Sequence, residues 1–196
     1  MGILYIVATP LGNLDDITLR ALTTLKSVDV VLCEDTRNTV KLLNHFKIQK
    51  PLVSYFQHSK LSKIDYIFGE LSQGKNLTLV TDAGTPGISD PGGKLIEQLL
   101  ALAAGELRII PIPGPNAAVA ALSISGFPAD KFVFWGFPPH KKGREKYFKE
   151  IAEQKETVVF YESTHRIIKA LEQLEKNLPR AKRLVVCREL TKMFES

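Results

Sequence analysis

The sequence predicts an α/β protein with a mostly parallel five-stranded sheet covered by helices on both faces, followed by a second, smaller α/β domain. Three observations carry this. Short apolar runs alternate with stripes of helical period, the mark of β-α units. Glycine- and proline-rich loops follow several of the runs. The pattern then shifts near Ser125–Ala129, where Gly126-Phe127-Pro128 breaks the helical period before a new apolar run begins.

Leu4–Ala8 reads as the first strand, and Ile17, Ala21, Leu22 and Leu25 as the stripe of the first helix. Val28–Cys33 is almost continuously apolar, as a strand covered on both faces should be. Thr39, Leu42, Leu43 and Phe46 mark the next helix, Pro51–Ser54 the third strand, and Leu61, Ile64, Phe68 and Leu71 the helix after it. Leu77–Thr81 is the fourth strand, and Leu95, Ile96, Leu99, Leu100 and Ala103 its helix. Leu107–Pro111 is the fifth, followed by the apolar helix Pro115–Leu122. Beyond it, Phe132–Trp135, Glu156–Tyr161 and Leu184–Cys187 read as strands. Tyr147, Phe148 and Ile151, then Ile167, Ile168, Leu171 and Leu174, give the helices between them. The expected division is 1–123 and 124–196. The second domain, ending at Arg188–Ser196 without a turn or cap signal, reads as truncated.

Composition narrows the function classes. A hydrophobic fraction of 44% with 24% charged residues excludes a disordered chain. The net charge of +5 is compatible with an anionic partner without requiring one. No apolar run approaches the roughly 20 residues needed to span a bilayer, so a cytoplasmic protein is expected. Cys33 and Cys187 each close an apolar run, so both thiols are expected to be buried. Two isolated cysteines make no metal site, and none is expected.

In open parallel sheets ligands bind beyond the carboxyl ends of the strands. That nominates Thr9–Leu14, Glu34–Arg37, Tyr55–His58, Asp82–Gly93 and Ile112–Ala117. Asp82–Gly93 is the most informative, with four glycines and two prolines in twelve residues. Glycine lets a ligand approach the main chain and proline stiffens the rest. A merely structural connection is usually shorter, about 2–6 residues. Pro91 suits the first turn of the next helix, with Asp90 as its cap, and Asp82 and Asp90 can stiffen the loop by accepting main-chain hydrogen bonds. Neither G-x-G-x-x-G nor G-x-x-x-x-G-K-[ST] is present, so no dinucleotide or Walker-type phosphate loop is supported.

Carboxylates and imidazoles on these loops are candidate proton acceptors: Glu34, Asp35 and His58, and later Glu162, His165 and Glu189. For Glu34 and Asp35 a helix cap with a salt bridge to Arg37 competes with that role, as capping does for Glu162 and His165. Pro138–Lys146 is the densest basic stretch, and Lys141, Lys142, Arg144 and Lys146 suit phosphate contact. Arg166 and Arg188 are further cations. Phe137 or Tyr55 suits stacking on a splayed base. A solvated loop would look the same.

Five segments taken together resemble the tetrapyrrole methylases: Thr9–Leu14, Cys33–Arg37, Asp82–Gly92, Pro113–Ala117 and Tyr161–Arg166. They are most similar to the branch that methylates ribosomal RNA of the small subunit, called methyltransferase I. The resemblance implies a two-domain tetrapyrrole-methylase-like fold, a homodimer, and S-adenosyl-L-methionine held between the domains. It implies 2′-O-methylation of a cytidine ribose in the decoding region of 16S ribosomal RNA. It places Pro10, Leu11, Gly12, Asp82, Ala83, Gly84, Thr85, Ile88, Ser89, Pro113, Gly114, Ala117, Glu189 and Leu190 around the donor. Glu34, Asp35 and Glu162 are then the candidates for catalysis, and Lys141, Lys142, Arg144, Lys146 and Arg166 for RNA. Two other readings compete. One is a methyltransferase for a small tetrapyrrole-like substrate, against which the basic loop argues. The other is a truncated, non-catalytic RNA-binding module.

Overall fold

The computed structural model describes residues 1–55, 61–179 and 181–196. The chain divides into two compact units, 1–116 with 191–193, and 117–190 with 194–196.

The first unit carries β1 (Ile3–Val7), α1 (Leu19–Ser27), β2 (Val30–Cys33), α2 (Thr36–His45), β3 (Leu52–Ser54), α3 (Leu61–Ser72), β4 (Leu77–Leu79), α4 (Gly92–Ala103) and β5 (Arg108–Ile112). The strands form one sheet in the order β3-β2-β4-β1-β5, and every pairing is parallel. Pro111 sits in β5, an edge strand, where its missing N–H costs no ladder bond. Alternation along the strands sends side chains to two separate cores. Leu4, Ile6, Val30, Leu32, Leu77 and Leu79 pack with Ile64, Ile67 and Leu71 of α3 and Leu95 and Leu99 of α4. Val7, Val31, Cys33 and Ile112 pack with Ala21 and Leu25 of α1 and Leu43 of α2. Helices thus cover both faces, as the apolar runs require.

Register decides where the loops emerge. Ile6 pairs with Leu79, and Val7 with Ile112. The carboxyl ends of β1, β4 and β5 therefore lie level, and the loops after them leave from one edge.

The second unit contains α5 (Ala117–Ile124), β6 (Phe132–Phe134), α6 (Arg144–Glu153), β7 (Thr157–Val159) and α7 (Ile167–Asn177). β6 and β7 form a parallel pair. Its core is Tyr147, Phe148, Ile151, Ala170 and Leu174, with Trp135, Val158 and Phe160 against it.

Several expectations need correction. The division falls before Ala117, so α5 belongs to the second unit. The Tyr161 hydroxyl accepts from the Ala118 N–H at 3.1 Å and holds the start of that helix. Leu184–Cys187 forms no strand among the described residues, and Leu184, Val185 and Val186 are 44–47% exposed. An apolar run needs a neighbouring strand before it becomes one, and that is not a local property. Cys33 is buried but Cys187 only partly so; both are free thiols. Tyr55, 3% exposed, is part of the core and offers no face for stacking. The helix after Asp90 begins at Gly92, with Pro91 just ahead of it.

Candidate functional site

The loops after β1, β4 and β5 are joined to one another by hydrogen bonds to main-chain atoms. Thr9 and Gly84 exchange both of theirs: Thr9 N–H donates to Gly84 O at 2.9 Å, and Gly84 N–H to Thr9 O at 3.0 Å. The buried Thr9 hydroxyl also donates to Thr81 O at 3.0 Å. Thr85 Oγ1 donates to Pro115 O at 2.9 Å, adding the third loop. These contacts leave no room for larger residues. Gly84 has φ +85°, and a Cβ there would lie 3.3 Å from Leu11 Cδ2. A Cβ on Gly114 would lie 2.9 Å from that of Ala8.

Within the long loop the two aspartates do different work. Asp90 accepts from Gly87 N–H through both oxygens at 2.9 Å and from Gly92 N–H at 2.7 Å, fixing the turn just ahead of α4, whose N-cap is Pro91. Asp82 accepts instead from the Asn38 side-chain amide at 2.9 Å, which ties the loop to α2. Asn38 is a member of this site that sequence reasoning passed over, and Thr9 was nominated only as part of the loop Thr9–Leu14. Neither residue type is distinctive, and both partners lie far along the chain.

The donor-loop candidates of this unit fall on or beside this rim. Pro10 and Gly84 are buried, Leu11, Thr85 and Ala117 half-buried, and Gly12, Asp82, Ala83, Ile88, Ser89, Pro113 and Gly114 exposed, with Ala117 counted in the second unit. Thr191 and Lys192 also reach it. Asn13 N–H donates to Thr191 Oγ1 at 3.1 Å, and the Lys192 side chain lies against Gly12. Glu189 and Leu190 are half-buried residues of the second unit, Glu189 with φ 54°.

Glu34 and Asp35 follow β2 on the same edge of the sheet. Asp35 caps α2, accepting from Arg37 N–H at 2.8 Å and pairing with its guanidinium at 2.6 Å. The Arg37 side-chain and main-chain hydrogen bonds hold the Asp35 carboxyl down at about 2. Glu34 is exposed, and among the described residues no hydrogen bond or ion pair engages its carboxylate. Its carboxyl is raised above the ordinary range by partial desolvation, then by the negative charges of Asp82, Asp90 and Asp35. His58 lies outside the described residues.

In the second unit Glu162 is an ionic centre. Its side chain is 2% exposed. It accepts from Arg144 Nη2 at 2.7 Å and from Ser163 N–H at 2.7 Å, and pairs with Arg166 Nε at 2.9 Å. Burial raises its carboxyl, but the hydrogen bonds of Arg144 and Ser163 and the two guanidinium charges outweigh that and lower it. Arg144 and Arg166, expected to meet RNA, thus have their charge directed inward. Lys146 pairs with Glu150 on its own helix. Lys141 and Lys142 are exposed, and so is His165.

The sequence profile of the tetrapyrrole (corrin/porphyrin) methylases matches residues 3–196. The chain belongs to the tetrapyrrole methylase family. Among its relatives are proteins named ribosomal RNA small subunit methyltransferase I. Those from Synechocystis sp. and Haemophilus influenzae are 45% and 47% identical over the whole chain, which covers 69% and 68% of their lengths. That from Escherichia coli O157:H7 is 46% identical over the whole chain and 68% of its own length. This methylase therefore falls in that branch. Among solved structures, the methyltransferase CobJ superposes with a TM-score of 0.71 at 19% identity, covering all of this chain and 84% of its own. Cobalt precorrin-4 methyltransferase, CbiF, superposes with a TM-score of 0.70 at 20% identity, covering 98% and 82%. At that identity the likeness concerns the fold.

Methyltransferases of this family use S-adenosylmethionine, and the rim suits such a donor. The exposed Ala83 and Gly114 of this methylase present little side chain there, which lets a ligand approach the main chain closely. Glu34, Asp82 and Asp90 add carboxylates to this edge, which are complementary to a sulfonium.

Proposed function

We propose that this methylase transfers the methyl group of S-adenosylmethionine to the 2′-hydroxyl of a cytidine ribose in the decoding region of small-subunit ribosomal RNA. The observation that carries this reading is the 45–47% identity, over the full chain, to relatives named for methylation of that RNA. The rim supports the donor half. We read 1–116 with 191–193 as the domain that holds the donor and the rest as the domain that meets RNA, in a cytoplasmic homodimer.

When bound, the donor supplies an electrophilic methyl group on a sulfonium that leaves as a neutral thioether. The chain's share is to align, shield and accept a proton. Alignment by rigid loops can supply much of the barrier lowering, up to about 7–11 kcal/mol. The bonds among Thr9, Gly84, Thr85 and Pro115 fit the rim for that task. As the ribose oxygen bonds to the methyl carbon, the carbon–sulfur bond breaks and the hydroxyl proton must leave. Of the three acidic candidates, Asp35 is engaged as a cap and Glu162 as an ionic centre. Glu34 is the proton acceptor in this reading. Its raised carboxyl is a better base near neutrality than an ordinary glutamate.

Labelled S-adenosylmethionine, incubated with isolated small subunits or naked RNA, is expected to leave label on one cytidine ribose, mapped by nuclease digestion. Label on a base, or no label on either substrate, overturns the reading. Glu34→Gln should lower turnover about 100-fold or more, with donor affinity unchanged by calorimetry. Unchanged turnover removes Glu34 from the mechanism.

A further inference from the structure

The loop between β6 and α6 combines three features that the donor site does not use. Phe137 is 50% exposed, and it rests against Tyr161 with ring centroids 5.3 Å apart. Tyr161 is fixed in turn, edge-on to Phe134 at 5.0 Å and bonded to the Ala118 N–H. The exposed ring is therefore mounted on an ordered base.

The second feature is the placing of charge. Lys146 and Lys149 pair with Glu150 and Glu145, and Arg144 and Arg166 with Glu162. Lys141 and Lys142 have no ion-pair partner among the described residues, so the uncompensated charge of this region lies four and five residues beyond Phe137. Lys141 lines an open depression of about 530 Å³ together with Gly143, Glu145, Lys146 and Lys149, of which it is the unpaired cation.

The third feature is rigidity. Arg144 Nη1 donates to Pro139 O at 3.2 Å while Nη2 holds Glu162, so the buried ionic centre grips the loop. Gly143, at φ +86°, turns the chain into α6.

We propose that Phe137, Lys141 and Lys142 form a platform for single-stranded RNA, with one unpaired nucleobase stacked on Phe137 and adjoining phosphates held by the two lysines. A base offers a flat face to any exposed ring, and a rigid ring loses little freedom on stacking. This rests on the reading that the substrate is RNA and names the part of the chain that grips it.

The test is binding of a fluorescently labelled single-stranded oligoribonucleotide across a salt series, with ribose methylation of small subunits measured in parallel. Phe137→Ala should weaken binding about tenfold without changing the salt dependence, and Phe137→Trp should restore it. Lys141→Ala with Lys142→Ala should lower the slope of log affinity against log salt by about 1.4, at roughly 0.7 per phosphate on a single strand. Donor affinity should not move in either. Unchanged RNA affinity in Phe137→Ala overturns the platform, as does a change of oligomeric state without a change in affinity. If that variant also methylates normally, the platform fails and the proposed function stands. If the unaltered protein methylates no ribose yet Phe137→Ala loses binding tenfold, the function fails and the platform stands.

Discussion

The rim of the first unit and the Tyr161–Arg166 turn of the second both carry carboxylates at the ends of strands, and they hold them in opposite ways. On the rim, the joining is done by the main chain of Thr9 and Gly84 and by a threonine hydroxyl on the Pro115 carbonyl, and the charges stay near water. Asp35 pairs with an Arg37 side chain that is 86% exposed, a pair that solvent screens. In the turn, the side chains do the joining. Glu162 is 2% exposed between guanidiniums that are 13% and 19% exposed. A backbone-built rim can leave a carboxylate such as Glu34 disengaged and titratable. A buried triad cannot, because each charge there exists only with its partners.

The strongest test of that contrast is Glu162→Ala. It strands two arginines and should cost about 3–5 kcal/mol, read by denaturant unfolding. A loss under about 1 kcal/mol, the range of surface pairs, would erase the distinction. Next is Gly84→Ala. Its φ of +85° and the 3.3 Å approach to Leu11 should cost about 1–2 kcal/mol and weaken donor binding in calorimetry well beyond that. A full stability loss with normal donor affinity would detach the rim from the donor. Thr9→Val should follow at about 1–2 kcal/mol, because the Thr81 carbonyl loses its hydroxyl donor; Thr9→Ser should recover most of it. Equal losses in both variants would point to packing of the methyl group.

The smallest effect concerns acid. The Asp35 carboxyl is held at about 2 in the folded chain, against an ordinary value near 3.9. Folding thus favours its ionised form. That contribution is complete above roughly pH 4 and drains away as the pH falls toward 2. Asp35→Asn keeps a capping side chain, so it should flatten the acid limb of the thermal midpoint and change little near neutrality. Glu162 shifts in the same direction, so a limb that stays equally steep in Asp35→Asn would assign the acid sensitivity to the buried triad.

Much of this was readable along the chain. The alternation of apolar runs with helical stripes carried the five parallel strands, and glycine and proline marked Asp82–Gly93 as a built loop. Asp35 caps its helix as its position beside Thr36 implied, whereas Asp90 falls one residue ahead of the cap of α4, which is Pro91. Other features were not readable. Leu184–Cys187 has the composition of a strand but no strand partner among the described residues. Arg144 and Arg166 look like phosphate contacts until Glu162 is seen between them. Tyr55 and Phe137 are equivalent in sequence as stacking candidates, and burial alone separates them.

By itself, the sequence determined the α/β class, the succession of elements and the loops at the carboxyl edge, because hydrophobic period and turn chemistry act over a few residues. Only tertiary structure decided the strand order β3-β2-β4-β1-β5, the exchange of hydrogen bonds between Thr9 and Gly84, and which charges face inward. Those depend on groups as far apart in the chain as Ala8 and Ile112 meeting at hydrogen-bond distance, and no local propensity encodes such a meeting.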